Sequence, residues 1–177
     1  MPISVRSPRN LAGLAPALRA LVRAALASEG RSGGEIGVAL ADDTLLRALN
    51  RDYRGLDKTT DVLSFGYDES GELVAPGGPG SNDGAPPAAR RSARPDRIVN
   101  GDLVISMDRV REQARRFRVS EGQELARLIV HGALHLAGLD HRHDAERRAM
   151  RVREDAVLKA GAAHVRVLAQ KLKMAQA

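Results

Sequence analysis

Residues 131–141 read H-G-A-L-H-L-A-G-L-D-H and place three histidines at positions i, i+4 and i+10. Residues four apart share one face of an α-helix, so this stretch predicts a helix that presents His131 and His135 side by side. Gly138 can adopt the left-handed conformation that ends a helix and turns the chain back. His141 would then close on the same point as the first two histidines.

Three histidines at this spacing predict a zinc site rather than simple packing, which would be the default for a single histidine. Neutral imidazole is a good zinc ligand, and three protein ligands leave one position of the metal for water. Zinc lowers the pKa of that water to roughly 7. A closed structural site is less expected, because such sites usually have four protein ligands and commonly use cysteine, which this chain lacks. His143 competes with His141 as the third ligand but lies beyond the turn, and Asp140 is either a hydrogen-bond partner of a ligand or a turn residue.

The position after the first histidine separates two classes of substrate. Metzincin peptidases share the motif H-E-x-x-H-x-x-G-x-x-H, but Gly132 stands here in place of the glutamate. Peptide hydrolysis needs that carboxylate to take a proton from water, whereas phosphodiester cleavage depends more on charge stabilisation of phosphoryl oxygens. The sequence therefore favours a phosphodiester substrate over a peptide. Arg54, in a polar segment, is the candidate phosphate ligand, and a loop salt bridge is the alternative for it.

The length of 177 residues predicts a single domain over residues 1–177 that is large enough for a core. The hydrophobic fraction of 43% is typical of a globular protein, and no run is long enough to span a membrane. The net charge of +6 favours a polyanionic partner, either nucleic acid or an acidic membrane surface, although an arginine-rich proteome would give the same charge. The absence of cysteine fits a reducing cytosol. Aromatic side chains are few, so a platform for stacking bases is not expected; they are Tyr53, Phe65, Tyr67 and Phe117.

Periodicity predicts the elements around these residues. Alternating apolar residues indicate strands near 36–40, 62–65 and 103–105, with an edge strand at 3–5. Helical spacing indicates a first helix over 14–26, a helix capped by Asp42 or Asp43, and helices that begin after Ser106, Ser120 and Asp144, the last ending at Gly161. Residues 70–97 are rich in glycine, proline and arginine and are predicted to form a disordered surface loop. No element is predicted for the tail after residue 161.

Three blocks in this order resemble the YbeY family of bacterial and organellar endoribonucleases, also called rRNA maturation factors. They are L-N-R-D-Y-R-G-L-D-K-T-T-D-V-L-S-F at 49–65, G-D-L-V-I-S at 101–106, and the histidine stretch followed by Glu146, Met150 and Glu154. The chain departs from the family pattern at Thr59 and Gly66, where proline is usual, and at Leu139, where tyrosine is usual. These departures concern the loops around the site rather than the ligands.

The resemblance implies an α+β fold, with a small mixed sheet of about four strands flanked by several helices. It implies one zinc ion on His131, His135 and His141, and it places the functional arginine of the family at Arg54. The implied activity is a cytoplasmic, single-strand-specific endoribonuclease that acts in 16S rRNA maturation and ribosome quality control. Expected partners are single-stranded RNA, rRNA and the ribosome or ribosomal proteins, but neither DNA nor a membrane.

Two other functions remain open from the sequence. The first is a non-catalytic ribosome-assembly factor, in which zinc stabilises the fold and a basic surface docks on RNA. The second is a metallopeptidase, against which Gly132 argues.

Overall fold

A computed structural model describes residues 3–7, 9–68, 70–77, 98–139 and 143–175. Five strands of these residues form one mixed sheet in the order β1-β2-β5-β3-β4. They are β1 (Ile3–Arg6), β2 (Ser32–Ala41), β3 (Val62–Tyr67), β4 (Leu73–Gly77) and β5 (Ile98–Ser106). Strands β1, β2 and β5 are parallel, whereas β3 is antiparallel to both β5 and β4. The predicted α+β fold with a mixed sheet is confirmed, with five strands in place of about four.

Helices account for most of the remaining described residues. After a 3₁₀ helix (Arg9–Leu14), they are α1 (Ala15–Ser28), α2 (Asp43–Arg54), α3 (Met107–Phe117), α4 (Glu121–Leu136), α5 (Asp144–Ala160) and α6 (Ala162–Ala175). None of these helices has the combination of length and apolar character that crossing a bilayer requires.

The predicted caps explain where three of the helices begin. The Asp42 side chain accepts a hydrogen bond from the Leu45 N–H at 2.9 Å, and Ser106 caps α3 in the same way. Ser120 and Gln123 form the predicted capping box at the start of α4. One prediction was wrong by a residue: His143 rather than Asp144 is the N-cap of α5.

The main core lies between one face of the sheet and the helices α1, α4, α5 and α6. Alternate residues of the central strands point toward it, among them Val38 of β2 and Leu103 of β5. The opposite face of the sheet carries a smaller cluster, in which Leu46 of α2 packs with Leu63 and Phe65. The two faces of the sheet are therefore covered unequally.

Strand β4 lies inside segment 70–97, whose composition predicts a disordered loop. The Asp68 carboxylate accepts a hydrogen bond from the Ser70 N–H at 2.9 Å, and Gly71 has a φ of +84°, so a tight turn leads from β3 into β4. The prediction was wrong for this first part, because the glycine and proline content of the whole segment obscured a local turn and strand signal. Residues 78–97 lie outside the described residues.

Helix α6 forms after residue 161, where the sequence pattern predicts no element. Leu168 and Leu172 are four residues apart on this helix, and both are buried in the main core. A Cβ on Gly122 would lie 2.2 Å from the backbone nitrogen of Ala169, so only glycine lets α6 approach the start of α4 this closely. The tail therefore helps to fix the helix that carries the histidines.

Candidate metal centre and arginine cleft

Helix α4 brings His131 and His135 together on its last two turns, as their spacing predicts. Their Nε2 atoms are 3.1 Å apart, and the ring planes are inclined at 78°. The helix is buried along most of its length, and the capping box fixes its first turn. The pair is therefore held by a rigid element rather than by a loop.

Both histidines direct their other ring nitrogen toward an acceptor. The Nδ1 atom of His135 lies 2.8 Å from the carbonyl oxygen of Leu139, which can only accept, so this nitrogen carries the proton. The Nδ1 atom of His131 lies 2.6 Å from a carboxylate oxygen of Glu154, a buried residue of α5. In the neutral rings, each Nε2 therefore presents a lone pair to the other.

This arrangement fits a cation between the two rings. Two lone pairs that face each other at 3.1 Å repel unless a proton or a metal ion lies between them. Two nitrogens on one tetrahedral zinc ion would be about 3.3 Å apart, because each Zn–N bond is about 2.0–2.1 Å. The distance between His131 and His135 is thus close to the one that zinc ligands require.

The third predicted ligand cannot be placed. His141 and the neighbouring Asp140 lie outside the described residues, so their roles stay predictions. In the part of the chain that is described, no three histidine or acidic residues form a metal-binding group. His143, the alternative third ligand, lies within the described residues and is the N-cap of α5. Its backbone N–H donates to a carboxylate oxygen of Glu146 at 3.1 Å.

The turn after α4 has the form that the glycine predicts. Gly138 has a φ of +98°, and its N–H donates to the carbonyl of His135 at 2.9 Å. The N–H of Leu139 donates to the carbonyl of Leu134 at 3.1 Å, which completes a Schellman motif. The same turn places the Leu139 carbonyl against the His135 ring, so the end of the helix also orients its histidine.

Position 132 of α4 faces the sheet. A Cβ at this position would lie 2.9 Å from Leu103, 3.2 Å from the Ser64 hydroxyl and 3.3 Å from Val62. The Ser64 hydroxyl also donates to the Gly132 carbonyl at 3.3 Å across this contact. A side chain at position 132 would therefore have to displace these packed side chains, which disfavours a general base there.

Arg54 lies at the end of α2, in a cleft of about 310 Å³. Gly55 follows with a φ of +68° and ends the helix there. Burial lowers the pKa of the Arg54 guanidinium from its ordinary value. The other lining residues come from α2, the loop after it and α3: Asn50, Leu56, Lys58, Thr59, Thr60, Asp61, Arg109 and Gln113. This makes a polar cleft with basic side chains, of the kind that suits a phosphate group.

Arg109 is a residue of this cleft that the sequence pattern did not reveal. Its guanidinium lies 3.2 Å from Asp43 and 2.6 Å from Glu112, and it also donates to the Thr59 hydroxyl. Arg109 therefore ties the loop after α2 to both α2 and α3. Only the tertiary structure identifies it, because its partners are up to 66 residues away in the chain.

A line of hydrogen bonds connects the cleft to the helix of the histidines. Gln113 donates to Asp61 at 3.2 Å and accepts from Arg127 at 3.0 Å. Arg127 also donates to the buried Glu124 at 2.6 Å. Arg127 lies one helical turn before His131 on α4, so the two parts of the site share a polar network.

The charge of Arg127 is stabilised despite its burial. Burial acts to lower the pKa of this guanidinium, but the hydrogen bond and charge of Glu124, with the charges of Asp61 and Glu154, raise it overall. Glu154 is also the partner of His131. A fixed positive charge therefore lies near the carboxylate that orients the first histidine.

The chain is similar to known proteins over most of its length. The family model described as Endoribonuclease YbeY matches residues 9–161, a range that includes Arg54 and all three predicted ligands. The chain is 36% identical over 142 residues to Endoribonuclease YbeY of Desulforamulus reducens, covering 80% of this chain and 82% of that protein. It is 40% identical over 146 residues to the protein of the same name from Geobacillus thermodenitrificans, with coverages of 80% and 82%. For that of Pelotomaculum thermopropionicum, the identity is 37% over 163 residues, with coverages of 89% and 95%.

A solved structure is similar in fold. The solution structure of TM1509 from Thermotoga maritima aligns with a TM-score of 0.54 and covers 94% of this chain and 93% of its own. At 22% sequence identity, this likeness concerns the fold alone.

Proposed function

This chain belongs to the YbeY endoribonuclease family, and we propose that it is a zinc-dependent endoribonuclease that cleaves single-stranded RNA. The observation that carries the proposal is the histidine pair, whose Nε2 atoms face each other at 3.1 Å while both Nδ1 atoms are directed to acceptors. Three relatives described above are named endoribonucleases. Gly132 argues against a peptidase, since it provides no carboxylate at the position where metzincin peptidases have glutamate, and its close packing disfavours one.

His131, His135 and His141 would hold the zinc ion, one per chain. When bound, zinc can polarise a phosphoryl oxygen and lower the pKa of bound water. Glu154 and the Leu139 carbonyl keep a proton on each Nδ1, so both Nε2 atoms remain available as ligands. The protein thus sets the ring orientations before any ligand arrives.

Arg54 would bind the phosphodiester and neutralise charge that develops on it. The guanidinium presents N–H groups in a planar fork that matches two phosphate oxygens. Its partly buried position strengthens this interaction, because a cleft screens charges less than bulk water does. Lys58 lines the same cleft and can add a second positive charge.

The cellular role that we propose is maturation of 16S rRNA and ribosome quality control in the cytoplasm. The partners would be single-stranded RNA, rRNA and the ribosome or ribosomal proteins. Family membership and the net charge of +6 support this proposal. Recognition through phosphate contacts predicts that RNA binding weakens steeply as salt is raised.

The proposal is tested by measuring zinc content and RNA cleavage in three variants and the wild type. Wild type should carry about one zinc ion per chain and cleave single-stranded RNA, whereas His135→Ala should lose both properties. Arg54→Ala should keep zinc while cleavage falls roughly 100-fold, the usual effect of removing one donor to a developing oxyanion. Arg51→Ala is the matched control, because Arg51 lies on the same helix but is exposed and pairs with Asp52.

Two results would contradict the proposal in different ways. Zinc-free wild type would remove its central premise. Zinc-loaded protein that binds RNA without cleaving it, with Arg54→Ala unchanged, would favour the non-catalytic assembly factor.

Analysis of the product ends identifies the nucleophile. Attack by the neighbouring 2′-hydroxyl leaves a cyclic phosphate, and attack by water does not.

A further inference from the structure

The sheet face opposite α4 contains a groove of about 470 Å³ that the catalytic proposal does not use. Three of the four aromatic residues of the chain line it: Tyr53 from α2, with Phe65 and Tyr67 from β3. Composition does not predict an aromatic platform in this chain, since aromatic residues are so few. The fold nevertheless gathers most of them on one surface.

Small residues and a fixed carboxylate shape the groove. Gly37 and Ala39 of β2 line it, and a Cβ on Gly37 would lie 2.0 Å from a carboxylate oxygen of Asp102, so the Asp102 side chain lies across the glycine. The Tyr67 hydroxyl donates to the other carboxylate oxygen at 2.7 Å. Burial and this carboxylate raise the pKa of Tyr67 to about 12, so the phenol stays protonated and the ring stays anchored at neutral pH.

Tyr53 offers an exposed aromatic surface at the rim of the groove. Its ring packs edge-on against Phe65, with centroids 5.2 Å apart and planes inclined at 69°. The residue nevertheless remains 53% exposed. A ring that is held on one side and open on the other is suited to stack with a flat ligand.

Helix α2 is a wall shared by this groove and the arginine cleft. Leu49 and Tyr53 line the groove, whereas their immediate neighbours Asn50 and Arg54 line the cleft. Each pair is spaced four residues apart, so two adjacent stripes of one helix face the two sites. A single chain that crosses the end of α2 can therefore contact both.

We propose that this groove binds an unstacked base of the single-stranded RNA whose phosphate lies at Arg54. This inference rests on the proposed function and extends it with a second contact. Tyr53 stacks on the base, and Tyr67 and Phe65 form the aromatic wall of the groove. Arg6, on the β1 side of the groove, faces the phosphate backbone of the same RNA molecule. RNA is favoured over a peptide because Tyr53 of the groove is followed on α2 by Arg54 of the cleft, and because Arg6 adds a positive charge to the groove itself. Stacking accepts any base, so the groove confers a preference for unpaired RNA rather than for a sequence.

Tyrosine fluorescence reports on this groove directly. The chain has no tryptophan and two tyrosines, and both line the groove. The probes are hexauridylate and an abasic hexamer with the same ribose-phosphate backbone, mixed with zinc-loaded protein at low temperature, with the probe length checked after each titration. Hexauridylate should change the tyrosine emission and bind roughly tenfold more tightly than the abasic hexamer.

Variants separate stacking from backbone binding. Tyr53→Ala should weaken hexauridylate binding roughly tenfold and leave abasic binding unchanged. In cleavage assays it should raise KM more than it lowers kcat, because stacking is the same in the ground and transition states. Phe117→Ala is the matched control: this aromatic residue is 56% exposed but lies on α3, outside the groove lining, and its loss should change neither value.

The outcomes distinguish this inference from the proposed function. Binding that depends on Arg54, with unchanged tyrosine emission and a Tyr53→Ala variant that matches wild type, would overturn the groove while leaving the nuclease intact. Equal affinity for hexauridylate and the abasic hexamer would also overturn the proposed base contact while leaving the nuclease intact. It would indicate that the groove binds a protein partner instead. Wild type that neither binds nor cleaves any RNA would remove the proposed function itself.

Discussion

The histidine pair and the arginine cleft differ in how they are built. His131 and His135 come from one helix, and their geometry follows from a four-residue spacing, a capped first turn and a glycine turn at the end. The cleft around Arg54 combines α2, the following loop and α3, and Arg109 joins Thr59 to these helices across 50 residues. Local construction makes the first rigid, whereas the second depends on several long-range contacts. Substitutions in the histidine region should therefore cause large losses of stability or zinc affinity. Substitutions in the cleft should cause smaller losses of stability and of substrate binding.

The largest effect is expected from a carboxylate placed next to the first histidine. Gly132→Glu should destabilise the protein by about 4 kcal/mol or more, because the side chain would have to displace Leu103 and Val62 and bury a charge against the sheet. Urea unfolding measures this change. Gly66→Ala is the control, since a Cβ at Gly66 meets no atom within 4 Å. A stable Gly132→Glu protein would show that α4 does not pack on the sheet as described.

A smaller effect is expected from the carboxylate that orients the first histidine. Glu154→Ala should lower zinc affinity roughly 10- to 100-fold, because the His131 ring loses the acceptor at 2.6 Å that fixes its tautomer. Competition with a chelator measures the affinity, and Glu154→Gln, which keeps an acceptor oxygen, should recover part of it. Asp155→Ala changes the exposed acidic neighbour and should bind zinc like wild type. Equal affinity in all three variants would remove Glu154 from the metal centre.

Substitution of a cleft residue should have a smaller effect on stability and cleavage. Arg109→Ala removes the contacts with Asp43, Glu112 and Thr59 and should cost about 1–2 kcal/mol of stability. Cleavage should fall through a higher KM while zinc content stays at the wild-type level. Arg111→Ala, which removes an exposed pair with Asp108, is the control. Loss of zinc in Arg109→Ala would mean that the two regions are not separable.

The smallest effect is expected for the pKa of Asp57, which lies in the loop after α2. The hydrogen bond and charge of Arg47 lower the pKa of the Asp57 carboxyl below its ordinary value. Because the folded pKa is depressed, this contact is present at neutral pH and is lost as the pH falls through the folded pKa. An NMR titration of Asp57 should show the low value, and Arg47→Ala should return it toward that of a free aspartate. An ordinary pKa in wild type would show that the pair does not persist in solution.

The same contrast between local and long-range contacts explains which features the sequence predicts. The positions of the helices and central strands follow from periodicity and caps, because these signals are local. The pairing of His131 with His135 follows in the same way, and so does the turn at Gly138. The spacing also marks position 132 as decisive, although only the structure shows that Leu103, Ser64 and Val62 crowd this position.

Residues whose roles depend on contacts with distant parts of the chain cannot be identified from local sequence patterns. Nothing near Arg109 in the sequence indicates that it joins the loop after α2 to α2 and α3. Nor does anything near Arg127 indicate that it connects the cleft with the helix of the histidines. Glu154 belongs to a block that resembles the family, but its contact with His131 depends on how α5 packs. The aromatic groove is the clearest example, because composition argues against a platform that the fold nevertheless assembles from α2 and β3.

The central claim is that the histidine pair forms a catalytic zinc centre for RNA cleavage. The most direct measurement is to remove metal with a chelator and add zinc back stepwise while following single-stranded RNA cleavage. We predict that activity rises in proportion to added zinc and reaches a plateau at about one ion per chain, and that His135→Ala shows no rise. Full cleavage by the metal-free protein, or an activity that does not depend on His135, would contradict the claim.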